Sequence, residues 1–448
     1  MSDFLPDRLR SARSVAENHD VPRPLRAAVL AGTTLLVAGA VVTSATAAPL
    51  DPYLHSGPAM AQERAQHRPQ APYRARRDVI DATLQSRIVQ RMSHATAHHY
   101  GFVVDVEGVG RVVSLGAGRP MRPASTQKLF TTLPLLLDRP GDRLVTDVVV
   151  AQPPVDGVVT GDLVLRASGD PSLVRDDLGA LARGVRRMGI TRVTGRVVLD
   201  IGSLPTNTRQ PGWKRDFVPT DIGPLSPLPV DRDWWRRDWS YISNPTKANL
   251  DVFRQRLAHN HIKVLGSDAI ARSTTASVVV ASHQSETMRA LITQTLRWSD
   301  NFYAESLLSV LGGHAPVNRT SRSAGVTDTS HATDGSGLSY EDRETPRGEV
   351  TLLGYAHAGA AADLLLHALP VACHSGTLRH RFCHTAGGNN VFAKTGTLTH
   401  SSALAGYTHD ARGRWVTFSV IAGGVRSTYA AEMAIDRAVL AIRAYRGS

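Results

Sequence analysis

The sequence predicts an α+β fold interrupted by an inserted domain. Three observations carry this. Short apolar runs of strand character lie near both ends of the folded region, "GFVVDVEGVGRVVSLG" (Gly101–Gly116) and "WVTFSVIAGG" (Trp415–Gly424). Amphipathic helical stretches lie beside and between them. A third stretch, Thr146–Asp200, alternates strand-like and helix-like segments and reads as a module of its own. A chain of 448 residues is too long for one hydrophobic core, and its 42% apolar and 20% charged residues suit two folded domains.

Residues 1–26 are expected to be a cytoplasmic segment, ending in Arg23 and Arg26. Residues 27–48, "AAVLAGTTLLVAGAVVTSATAA", are 22 positions without a charge, long enough to span a bilayer with the basic residues inside. The small-residue end, Ala45-x-Ala47, also fits a signal-peptidase site, so both a signal peptide and a membrane anchor are open. Residues 49–77 contain five prolines and no hydrophobic period, and are expected to be a flexible spacer.

Folded structure is expected from Asp78. Val79, Ile80, Leu84, Ile88, Val89 and Met92 form one helical stripe. Gly101–Gly116 reads as a hairpin turning at Glu107-Gly108. "STQKLFTTLPLLL" reads as a helix that Pro134 kinks. "DVVV", "DLVLRASGD" and "RVTGRVVLD" read as strands, with the helix "LVRDDLGALARGVRRMG" among them, ended by Gly189. Ile201–Trp239 is rich in Pro, Gly and Trp and reads as irregular. Lys247–His259, Glu286–Arg297, Ser299–Leu311 and Ala430–Tyr445 read as helices. The expected division is a main domain from 78–145 and 285–448, with 146–284 inserted.

The net charge of +12 admits an anionic partner, but the cations are spread along the chain and match no nucleic-acid-binding motif, so no nucleic acid is expected. Of the 51 cations only five are lysines: Lys128, Lys214, Lys247, Lys263 and Lys394. Arginine stays protonated, whereas a desolvated lysine can lose its proton. Cys373 and Cys383 lie in "ACHSGTLRHRFCH". In an exported protein a disulfide is the favoured reading. Free thiols and a zinc site with His374, His380 and His384 remain alternatives, although the spacing matches no paired metal motif. No metal or cofactor is expected.

Three short motifs stand in order. Ser125-Thr126-Gln127-Lys128 is S-x-x-K, Ser299-Asp300-Asn301 is S-D-N, and Lys394-Thr395-Gly396-Thr397 is K-T-G-T. Each is cheap alone; together, in this order, they are specific for penicillin-recognising serine enzymes. Positions i and i+3 share a helix face, so Ser125 and Lys128 can meet. A serine hydroxyl needs a neighbouring base, and a desolvated Lys128 beside a second cation, Lys394, can serve. Ser299 is placed to relay a proton between the two lysines. Asn301 can both donate to and accept from a peptide. Lys394, Thr395 and Thr397 suit a terminal carboxylate, and the backbone N–H groups of Ser125 and Thr397 suit an oxyanion hole.

These residues resemble the class C low-molecular-mass penicillin-binding proteins, D-alanyl-D-alanine carboxypeptidases/endopeptidases of the peptidase S13 type. "RASGDPSL", "PGWKRD", "TDGSGLS" with the later "TPR", "LPVACHSGTLRHRF" and "AKTGTLTHSSALAGY" extend the likeness from about Asp78 to the C-terminus. The resemblance implies a penicillin-binding transpeptidase-like (serine beta-lactamase-like) domain, with an antiparallel sheet flanked by helices and an insert between S-x-x-K and S-D-N. It implies peptidoglycan stem peptides ending in D-Ala-D-Ala as substrate, acylation of Ser125, and beta-lactams as inhibitors acting on that serine. Three departures stand out. Cys373 replaces an expected glycine and Cys383 is additional. "LSPLPVDRDWW" has Asp where Asn is usual. The insert is short for the family. A beta-lactamase, a beta-lactam-recognising esterase and a non-catalytic wall-binding sensor are the competing readings. The absence of an E-x-x-L-N motif after S-D-N argues against the first, and the intact trio against the last.

Overall fold

The computed structural model describes residues 54–55, 78–233, 242–327 and 330–447. Residues 1–48, nearly all of the spacer expected at 49–77, and the tryptophans of "RDWWRRDW" lie outside these. Among the described residues, no helix is long and apolar enough to cross a membrane. Two residues of the expected spacer, Leu54–His55, pair antiparallel with Leu144 and Arg143.

The chain's two ends build one antiparallel sheet of five strands. Its order is Val391–Leu398, Ser401–His409, Trp415–Gly423, His99–Val106, Gly110–Leu115. Phe102 faces Val420 and Val104 faces Phe418, so the N-terminal hairpin continues the C-terminal strands. Alternate residues serve opposite faces. Phe102, Val104, Phe418 and Val420 pack against Leu84, Ile88 and Met92 of the helix Ala82–Met92 and Ile435, Val439 and Ile442 of the helix Thr428–Arg443. On the other face, Ala405 and Tyr407 join a helical cluster, and Tyr407 Oη donates to Leu353 O at 2.7 Å. Burying a side chain such as Phe102 or Phe418 contributes about 2–3 kcal/mol. With helices on both sides the strands need no polar face, which is why "WVTFSVIAGG" is nearly continuous apolar sequence.

A capping residue fixes where the S-D-N helix starts. Asp300, the middle residue of S-D-N, accepts from Tyr303 N–H at 3.2 Å and makes Asn301 the first residue of the helix Asn301–Val310. The helix Gln127–Asp138 runs on through Pro134, and Arg139 N–H closes it on Leu135 O at 3.0 Å.

Strands Arg143–Val150, Leu163–Arg166, Val197–Asp200 and Ala269–Ala271 form a second, mixed sheet, with Val278–Thr287 paired antiparallel to Arg143–Val150. Helices Arg175–Arg187 and Pro245–His259 cover it through Leu178, Val185, Leu250 and Phe253. Arg143 and Thr287 are partners in the ladder, so the chain enters and leaves this region side by side. Between Asp200 and Asp233 the chain leaves that sheet and returns, with Ile201, Leu204, Leu228 and Val230 still in its core. Phe217, Val218, Ile222 and Leu225 pack on Phe302 and Leu338, beside the S-D-N helix.

Several elements have no counterpart in the sequence reading. The helices His314–Ala324, Pro346–His357 and Ala362–Ala368 and the strands Val278–Thr287 and Ser401–His409 are among them.

Candidate active site

Ser125 lies in a single 3-10 turn, Ala124–Thr126, that runs into the helix Gln127–Asp138. Ala124 just before it holds a left-handed backbone (φ 50°), a conformation costly for a residue with a Cβ. Two glycines let neighbouring backbones close on this turn. A Cβ on Gly396 of K-T-G would stand 2.6 Å from Pro123 O, and one on Gly337 would collide with Ala124 O.

Lys128 is fully buried. Its Nζ lies 2.8 Å from Ser125 Oγ, 2.8 Å from Asn301 Oδ1 and 2.6 Å from Ser336 O. Burial lowers its pKa to about 8, against the opposing pull of Asp334, Glu305, Asp300 and Asp342. Lys394 is also fully buried and bonds Ser299 Oγ at 2.8 Å and Thr395 O at 2.7 Å. Burial, and then the charge of Lys128, hold its pKa well below the ordinary lysine value. Desolvation is thus the main depressor of both lysines, and their like charges oppose each other's protonation.

The expected relay through Ser299 is redrawn. The bond from Lys128 goes to Asn301, and Ser299, itself in a left-handed backbone (φ 58°), bonds Lys394. Asn301 Nδ2 donates to Asp221 O at 3.1 Å, so both ends of its amide are engaged. Thr395 Oγ1 donates to Thr377 Oγ1 at 2.8 Å, and Thr397 Oγ1 donates to Glu432 Oε1 at 3.3 Å. The strand Val391–Leu398 is the sheet's edge. Ala393 N–H points away from its partner strand, to Pro370 O at 3.1 Å. Outward N–H groups recur every second residue, so those of Thr395 and Thr397 face the free edge.

Cys373 and Cys383 form a disulfide with Cα atoms 4.9 Å apart, which removes the free-thiol reading. No cluster that could hold a metal occurs among the described residues. Cys373, at the position expected to be glycine, holds a left-handed backbone (φ 55°). The loop it closes carries Thr377 to the K-T-G strand.

Two buried carboxyl groups that the sequence reading did not single out shape the floor. Glu305, one helical turn after Asn301, accepts from the N–H groups of Gly335 (3.0 Å) and Ser336 (2.8 Å). Asp334 accepts from the N–H groups of Gly337 (2.6 Å) and Ser339 (2.7 Å) and from Trp213 Nε1 (2.7 Å). These bonds aim the Ser336 carbonyl at Lys128. Burial and the charge of Asp334 push the Glu305 carboxyl well above its ordinary range. The sequence signals were present: Glu305 is a charged residue on a core-facing helix position, and Asp334–Ser339 belongs to the quoted "TDGSGLS".

A serine facing a buried lysine, with a second lysine–serine pair on the edge of an antiparallel sheet, defines a serine hydrolase of the penicillin-recognising class. The model of the D-Ala-D-Ala carboxypeptidase 3 (S13) family matches residues 81–238 and 236–444, and the chain belongs to that family. It is 30% identical over 375 residues to "Carboxypeptidase DacB" of Mycolicibacterium smegmatis, covering 77% of this chain and 80% of that protein. It is 24% identical over 441 residues to a "D-alanyl-D-alanine carboxypeptidase" of Actinomadura sp., covering 78% and 81%. Its fold matches the crystal structure of penicillin binding protein 4 from Haemophilus influenzae with a TM-score of 0.71 at 20% identity, over 79% of this chain and 98% of that one.

Proposed function

We propose that the protein is a serine-type D-Ala-D-Ala carboxypeptidase that trims peptidoglycan stem peptides through an acyl-enzyme on Ser125. The observation that carries the mechanism is the set of partners around Lys128 Nζ. Asn301 Oδ1 and Ser336 O can only accept. A neutral amine has two N–H groups and one lone pair. With the N–H groups committed to those two oxygens, the lone pair is left for the Ser125 hydroxyl proton.

In this reading Ser125 Oγ attacks the carbonyl carbon of the penultimate D-Ala as its proton passes to Lys128. The oxyanion that forms is held by the N–H groups of Ser125 and Thr397, the latter facing the free edge. The C–N bond then breaks, and the amine of the terminal D-Ala leaves with the proton that Lys128 took from Ser125. Water, deprotonated by Lys128, attacks the ester, and Ser125 regains its proton. In this reading Lys394, Thr395 and Thr397 hold the substrate's terminal carboxylate, and Asn301 meets its peptide backbone. A beta-lactam would acylate Ser125 by the same first step. An endopeptidase cleavage differs only in carrying a second peptide on the leaving amine, so the same residues serve it.

The family, and the D-alanyl-D-alanine carboxypeptidase among its curated relatives, support action outside the cytoplasm. We assign export to residues 27–48, as a signal peptide or membrane anchor. The division into 78–145 with 285–448 as catalytic domain and 146–284 as insert is likewise proposed. The pairing of Arg143 with Thr287 supports a junction a few residues outside those limits, and the packing of Phe217 and Leu225 on Phe302 and Leu338 supports counting part of the insert with the site wall.

The test is to incubate wild type and Ser125→Ala with fluorescent penicillin and with a Lys-D-Ala-D-Ala peptide. Labelling and D-Ala release by wild type alone are expected. No labelling and no release by wild type would refute the enzyme reading, and rapid penicillin turnover would assign a beta-lactamase.

A further inference from the structure

A cavity of about 480 Å³ opens at the end of the five-stranded sheet, past the turn that joins Val391–Leu398 to Ser401–His409. Six of its lining side chains are basic: His98, His99, Arg122, Arg343, His400 and Arg426. They come from five places in the chain: the start of the strand His99–Val106, the segment before Ser125, the segment before the helix Pro346–His357, and the two sheet turns near His400 and Arg426. No aspartate or glutamate lines it.

The arginines are positioned without being neutralised. Arg122 Nε donates to Tyr340 O at 3.1 Å and its guanidinium lies 4.5 Å from the centre of the Tyr340 ring. Arg343 Nη1 donates to the carbonyls of Tyr340 (2.9 Å) and Asp342 (2.7 Å). Among the described residues, no carboxylate forms an ion pair with Arg122, Arg343 or Arg426. The acids on either side of Arg343 are weakened as counter-charges. Burial pushes Asp342 up to about 10, so it is neutral near pH 7, and pushes Glu344 well above its ordinary range. Burial, and then the charges of Arg119 and His98, lower the pKa of His99. A concave wall with one sign of charge concentrates a counter-ion, and arginine forks match the oxygens of phosphate and carboxylate.

We propose that this cavity, separate from the serine–lysine pairs, binds an oxyanion group, phosphate or carboxylate, of the cell-wall polymer. The choice of an oxyanion stands on the cavity alone; the choice of the wall polymer as its source rests on the proposed function.

Equilibrium dialysis of the full chain with radiolabelled inorganic phosphate at low ionic strength tests it. Saturable binding of one phosphate is expected. His98→Ser with Arg426→Ser, both exposed rim positions, should weaken it by at least about tenfold. Arg186→Ser with Arg187→Ser, exposed at the far end of the helix Arg175–Arg187, should change it by less than about twofold, as only general attraction is lost. Absence of saturable binding, or equal weakening in both variants, would overturn the site. Arg426→Gln alone carries the comparison if the double variant does not fold. Competition then assigns the source. Displacement by a poly(glycerol phosphate) chain points to wall phosphodiesters, and displacement by a phosphate-free muropeptide lacking D-Ala-D-Ala points to peptide carboxylates. Displacement by neither overturns the wall-polymer assignment. Penicillin labelling of Ser125 is followed in parallel: its absence in wild type would strike the proposed function and leave the phosphate result standing.

Discussion

The lone pair on Lys128 sets the pH dependence of acylation. Lowering a lysine from 10.5 to about 8 corresponds to about 3 kcal/mol against its charged form. Only the neutral amine can take the Ser125 proton. Its share is roughly one in ten at pH 7, about half at pH 8 and about nine in ten at pH 9. The second-order rate of Ser125 acylation by a fluorescent penicillin should therefore rise about tenfold between pH 7 and pH 9, with a midpoint near 8. Stopped-flow fluorescence at constant ionic strength measures it. Lys128→Arg should remove the rise and cost roughly 10²–10⁴ in rate, because a guanidinium keeps its proton. A wild-type profile flat from pH 6 to 9, or one that falls with rising pH, would refute a lysine base. So would an Arg variant acylating at the wild-type rate.

Gly337→Ala places a Cβ against Ala124 O at a left-handed backbone position (φ 81°), so melting should show a loss of about 3 kcal/mol or more. Replacing Cys373 and Cys383 by Ser opens a short loop (sequence separation 10), so denaturant unfolding should report a loss of about 2–3 kcal/mol. The freed Thr377 should also weaken peptide binding, read as a raised KM. Burial raises Glu349 to about 7 although Ser419 and Thr126 both donate to it. Because its folded pKa lies above the unfolded one, ionisation destabilises the fold from about pH 4 upward, fully above about 7. Glu349→Gln should thus gain up to about 3 kcal/mol relative to wild type between pH 5 and pH 9; an equal change at both pH values would contradict this. Glu305→Gln keeps the shape that orients Ser336 O, while Glu305→Ala should slow acylation by about tenfold or more through a misplaced Lys128.

The main helices and the strands at the two ends of the chain were legible because their apolar periods are strong, as in Ala82–Met92 and Trp415–Gly423. The strand Ser401–His409 was not, since "SSALAGYTH" is small and weakly strand-forming; its place is decided by two neighbouring strands that pair with both its edges. The helix Pro346–His357 is buried all round, so it shows no polar stripe to mark it. At the site, the side chains named by S-x-x-K, S-D-N and K-T-G do converge. What motifs do not encode is backbone: the carbonyls of Ser336 and Asp221 are aimed by folding, and any residue type could supply them. How far desolvation lowers each amine was also illegible, because it depends on how deeply each sits and which carboxylates surround it.

The sheet that carries Lys394 has consequences for the order of assembly. Its first two strands leave the ribosome early and its last three only at the end, yet the edge strand and the helices it faces must meet for Ser125, Lys128 and Lys394 to share one pocket. Contacts so distant along the chain form late. A nascent chain of this protein therefore has no assembled nucleophile until its final hundred or so residues are available, a lag that keeps an amide-cleaving enzyme inert while it is still being made and moved.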